Sequence, residues 1–119
     1  PEQSAQVARV AQNIYRPCCD NATHFPDCNH GMAMLGMLEI LASKGATDEE
    51  LYRAALAVNT LWFPEQYQTI ASFVASRGLQ LSQIPPKELV GKNFASASGF
   101  QAVSKAMQQG GDSSSPCAA

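Results

Sequence analysis

Apolar residues recur three and four apart in five stretches of this chain, while no two stretches alternate in the period-two manner of pairing strands. That pattern restricts the chain to helices packed on helices. The first stretch is Ser4 to Tyr15, with Val7, Val10 and Ile14 on one face. Arg16-Pro17 ends it, because the residue before a proline is pushed out of helical geometry. Asn29 is placed to cap a second helix reaching Lys44, with Met34, Met37, Leu38 and Leu41 inward and Gly45 as its stop. Thr47 caps a third, and Glu50 three residues on completes a capping box. Leu51, Ala55, Val58 and Trp62 form its inner face. Pro64 suits the first turn of a fourth helix, with Phe63, Tyr67, Ile70 and Val74 as its stripe and Gly78 as its end.

The remainder is less regular. "LQLSQIPP" alternates briefly and then meets two prolines, which predicts an extended connection. Lys87 to Val90 is long enough for one helical turn. Ser96 to Gln108 is the last helix, with Phe100, Val103 and Met107 inward, and "GGDSSSPCAA" has the composition of an irregular tail. The expectation is an all-α fold: a compact bundle of about five helices, with a Cys/His-rich loop between the first two and an irregular C-terminal tail. Residues 1–109 form a single helical domain and 110–119 the tail.

Composition narrows the function. Only 15% of the 119 residues are charged, below the roughly 25% of ordinary soluble domains, and the net charge is −2. The eight basic residues are scattered, so no nucleic-acid partner is expected, since phosphate contacts need clustered Lys and Arg. No stretch supplies the roughly 20 apolar residues of a membrane span. Membrane contact is expected only through an N-terminal anchor ahead of Pro1. Low charge and four cysteines favour an extracytoplasmic location, periplasmic or secreted.

One segment stands apart. "RPCCDNATHFPDCNHGM" places Cys18, Cys19, Cys28, His24 and His30 within thirteen residues. It is also rich in turn formers, and so long a connector in a small domain asks for something to hold it. Thiolate and imidazole are the ligands preferred by Zn, Cu(I) and iron–sulfur clusters. Cys28 stands where a helix begins, and the free N–H groups there favour a thiolate. A disulfide between Cys18 and Cys19 would strain the chain, because neighbouring Cα atoms lie about 3.8 Å apart, under the usual disulfide range. Each therefore pairs elsewhere, or both serve one metal or cluster.

The sharpest expectation is a transition-metal or iron–sulfur site (Zn, Cu or Fe) on Cys18, Cys19, Cys28 and His30, with His24 as the alternative nitrogen. The spacing C-C-x8-C-x-H is not that of a standard zinc finger. Its work would be metal carriage, sensing or electron transfer with a protein partner, not turnover. Two other readings stay open. Cys28 attacking, with Cys18 or Cys19 resolving, would make a thiol–disulfide oxidoreductase of cofactor maturation. Bridges from Cys28 to Cys18 or Cys19 would make a disulfide-stabilised interaction module. From Gly110 the tail reaches about 24 Å at roughly 3.4 Å per residue, enough for Cys117 to form a disulfide with one of the three or, as the lesser alternative, to serve as a fourth cluster ligand. Met34 lies one turn after His30 and ranks as a weak copper ligand, a core position being its commoner use. Trp62-Phe63 reads as core packing or as the wall of a ligand pocket.

"IYRPCC" after a helix, followed by "SKGATDEELYRAAL", resembles small extracytoplasmic helical domains with a cysteine motif. The thiol-reductase subunit of cytochrome c maturation and certain Cys/His metal-binding lipoproteins are similar over residues 9–56. The chain departs from the first in having adjacent cysteines in place of C-x-x-C. What the resemblance implies is a periplasmic or membrane-attached thiol or metal role, with no catalytic assignment transferred.

Overall fold

A computed structural model describes residues 2–17, 22–23 and 29–114, with side chains described between 4 and 108. The described residues form helices and connections only. Five helices are ten residues or longer: α1 (Glu2–Ala11), α2 (Asn29–Ser43), α3 (Asp48–Trp62), α4 (Pro64–Ser76) and, after two short turns, α7 (Ala97–Ser114). The short turns are α5 (Pro86–Leu89) and α6 (Lys92–Ala95), and a 3-10 turn at Leu81–Gln83 precedes them. The all-α bundle is as the periodicity indicates.

Local chemistry sets most of the boundaries. The Thr47 hydroxyl accepts from the Glu50 N–H at 3.1 Å, and the Glu50 carboxylate accepts from the Thr47 N–H at 2.8 Å, so the capping box forms in full. Gly45 and Gly78 take φ of 89° and 79°, a left-handed geometry that favours glycine. They let Ala46 donate back to the Leu41 carbonyl and Leu79 to the Val74 carbonyl, closing α2 and α4 with the same C-terminal motif. Pro64 opens α4 where no N–H is required.

Three boundaries differ from expectation. α1 ends at Ala11, not Tyr15, because the Tyr15 N–H leaves the helix and donates to the Val90 carbonyl at 2.7 Å. Asn29 is the first residue of α2 and not the residue before it. α7 runs past Gln108 to Ser114, into the segment read as tail, since extending an existing helix gains one hydrogen bond for each residue fixed. α6, which the sequence did not announce, is a single turn.

Two apolar clusters make the interior. The first joins Val7, Val10, Ala11 and Ile14 of the N-terminal segment to Met34, Leu38 and Ala42 of α2 and to Leu51 and Ala55 of α3. The second joins Tyr67 and Ile70 of α4 to Leu89 and Val103, with Phe63, Phe73, Phe94 and Phe100 packed around them. Leu56 packs against both. Val58, Trp62, Met37 and Leu41, expected inward, are half-buried against the first cluster.

At the start of α3, Asp48 accepts from Gln6 at 3.0 Å and from Nε and Nη2 of Arg9 in three contacts of 2.9 to 3.1 Å. Burial raises its pKa, but those hydrogen bonds and the charges of Arg9 and Lys87 outweigh it, and the carboxyl sits below its ordinary 3.8. Hydrogen bonds from Thr47 likewise hold Glu50 below its ordinary 4.5. Depressed carboxyl pKa values add stability that is full above the unfolded values and lost as pH falls through the folded ones. The melting temperature should therefore drop on acidification below about pH 4.5, and Asp48→Asn should flatten part of that drop in a thermal-melt series.

Candidate functional site at the start of the second helix

Between α1 and α2 the described chain is held by a connected set of buried hydrogen bonds. The Ile14 carbonyl accepts twice from Thr23, from its N–H at 2.9 Å and its hydroxyl at 2.9 Å. The fully buried Arg16 donates through Nη1 to the same hydroxyl at 3.1 Å. Next door, the Tyr15 carbonyl accepts from Asn59 Nδ2 at 2.8 Å. Asn59 Nδ2 also donates to the Tyr67 hydroxyl at 3.2 Å, which itself donates to the Leu89 carbonyl at 2.9 Å. Ala22 and Thr23 are buried with them. The connector thus has two ends of known anchorage: Ile14–Thr23 on one side and the first turn of α2 on the other.

His30 occupies that first turn. Its half-buried imidazole lies 4.9 Å from the Trp62 ring and 5.2 Å from the Phe63 ring, centroid to centroid, tilted by 58° and 55°. The contact exists because α2 and α3 run antiparallel through the Gly45 turn, which returns the end of α3 to the start of α2. Both rings restrict the orientation of the imidazole, and neither occupies a ring nitrogen by hydrogen bonding. Trp62-Phe63 therefore walls His30.

Of the Cys and His residues singled out in the sequence, His30 is the one the structure describes. Cys18, Cys19, His24, Cys28 and Cys117 lie outside the described residues. Among the described residues no three His, Cys, Asp or Glu side chains gather closely enough to hold a metal. Met34 is fully buried in the first apolar cluster, as its helical stripe implies. No helix among the described residues is long and apolar enough to cross a membrane.

Asn59, Arg16 and Thr23 escaped the sequence reading, and Tyr67 was read as an apolar stripe member without a role for its hydroxyl. One signal was available for Asn59: it continues the i, i+4 stripe of Leu51 and Ala55, where a carboxamide needs buried partners. For Arg16 and Thr23 no signal existed, since both are ordinary surface types that only the folded connector encloses. Among the described residues, oxygen and nitrogen groups hold the chain at Tyr15 and Thr23.

Removing these bonds should be costly. Asn59→Ala strands the buried Tyr15 carbonyl and should lower unfolding free energy by about 2–3 kcal/mol. Thr23→Val should cost about 1–3 kcal/mol, with Thr23→Ser restoring most of it in urea melts. Burial pushes the Tyr67 hydroxyl up to about 12, against the opposing hydrogen bond from Asn59. A raised pKa gives stability that is full below the unfolded value of 10.0 and lost as pH rises towards about 12. Tyr67→Phe should remove that alkaline loss from a melting-temperature series.

No family model, curated protein or solved structure matches the chain.

Proposed function

We propose that this is a small extracytoplasmic protein that binds a soft transition metal or an iron–sulfur cluster through Cys18, Cys19, Cys28 and His30. His24 is the alternative nitrogen, and the role is carriage, sensing or electron transfer with a protein partner. The observation that carries the proposal is the density of soft donors: three thiols and two imidazoles within residues 18–30. The held imidazole supports it. His30 stands at the α2 start, its ring plane limited by Trp62 and Phe63, as a nitrogen ligand is usually limited by its surroundings. When bound, a metal or cluster would supply affinity for a partner's ligands or a place for an electron. The chain's own part is to present donors on a connector whose stem is fixed by Thr23 and Asn59.

The helix start favours a second reading. Cys28 directly precedes the first residue of α2, where unpaired N–H groups stabilise a thiolate, so a thiol–disulfide exchange role is the alternative. The resemblance to a cytochrome c maturation thiol reductase and to Cys/His lipoproteins is compatible with either.

Elemental analysis and a visible spectrum of anaerobically purified protein test the first reading. A bound metal should appear, and Cys28→Ser and His30→Ala should each reduce its stoichiometry or affinity by about tenfold or more, in the range seen when a ligand or its support is lost. Colourless, metal-free protein without free thiols would reject it. Thiol titration tests the second: a Cys28 pKa well under about 8.5 supports exchange chemistry, and an ordinary value counts against it.

A further inference from the structure

Among the described residues, the His30 imidazole is flanked by rings and not by charges. Trp62 and Phe63 approach it to 4.9 and 5.2 Å between centroids. The first turn of α2 carries no acidic residue, and the last turn of α3 carries no basic one. Glu65, the next carboxylate along the chain, lines a cleft between α4 and α7 with Ser104 and Met107. His30, Trp62 and Phe63 are all half-buried, so an ion held here exchanges part of its water for aromatic surface.

Such surroundings discriminate between ions by their charge. The energy of leaving water grows with the square of the charge, so a divalent ion loses roughly four times what a monovalent one loses on the same path. An aromatic face offsets part of that loss, because its negative quadrupole attracts a cation, and indole does so best. An ion on a ring nitrogen stands about 3 Å from the imidazole centre. One carried on the indole side of His30 therefore falls within the roughly 6 Å over which the attraction acts. Thiolate and imidazole already restrict the choice to soft ions, and of those this donor set takes, copper(I) is the singly charged one.

We propose that the ion of this site is monovalent copper, and that Trp62 favours it over divalent zinc by cation–π contact with an ion carried on His30. The inference rests on the metal reading above and adds to it the identity of the ion. It gives Trp62-Phe63 a purpose beyond packing: the indole touches the bound ion, and the neighbouring ring keeps water from it. Binding involves no change of oxidation state. Trp62 is the single tryptophan of the chain, so its emission reports directly on what lies beside His30.

Anaerobic titration of the full chain with copper(I), supplied as its bicinchoninate complex, tests this, with zinc(II) titrated against a chromophoric chelator in parallel. Copper(I) should quench Trp62 emission in step with its uptake, and His30→Ala should abolish the quenching. Trp62→Leu, which keeps an apolar side chain without a π face, should weaken copper(I) binding by about tenfold and zinc(II) binding by less than about twofold. Trp62→Phe should restore most of the copper(I) affinity, and circular dichroism should show wild-type helix in both variants. Copper(I) uptake without quenching overturns the proposal and leaves the metal reading standing, and needs no variant to be seen. So does a Trp62→Leu variant that loses both ions equally or neither. Protein that takes up neither ion overturns the proposal and the metal reading together.

Discussion

The carbonyls of Ile14 and Tyr15 organise this molecule. At the end of α1 the chain turns away, and two consecutive backbone acceptors enter the interior with no helical partners of their own. Thr23 satisfies the first and Asn59 the second. Through Asn59 the same chain of bonds passes to Tyr67 and on to Leu89. The Tyr15 N–H reaches Val90 directly. A short stretch of backbone after α1 is therefore the place where α3, α4 and α5 are fixed relative to one another. Each group is buried, so each bond lost leaves a polar atom without water, a heavier penalty than the net gain of making it.

That arrangement also changes the physical standing of the Cys/His segment. A connector of thirteen residues rich in Asp, Asn and Pro has little apolar surface with which to hold itself. Thr23 divides it, and the hydroxyl that closes its first half also receives Arg16. His30, against the Trp62 and Phe63 rings, lies in the first turn of α2.

What was legible in the sequence is what local chemistry decides. Thr47 with Glu50, Gly45, Gly78 and Pro64 announce boundaries through their immediate neighbours, and the apolar stripes of α2 and α4 name their buried members. What was not legible depends on distant partners. The end of α1 is set by Val90, and no neighbour of Tyr15 reveals that. The pairing of His30 with Trp62 and Phe63 needs the antiparallel course of α2 and α3. The cysteines were conspicuous as a composition, and Cys18, Cys19 and Cys28 remain a matter of donor chemistry. Met34 shows the same contrast from the other side: its spacing alone marked it as interior.

The two neighbouring residues at the close of α5 have a consequence for how the chain is made. Leu89 enters one apolar cluster and Val90 the other. Neither cluster is complete until that dipeptide has been synthesised, although all the helical partners of Val90 emerge from the ribosome much earlier. The three N-terminal helices are thus synthesised before the last apolar residue of their cluster, which is also the acceptor for the Tyr15 N–H. Val103 comes later still, so the first cluster has all its members once Val90 is made, while the second waits for α7.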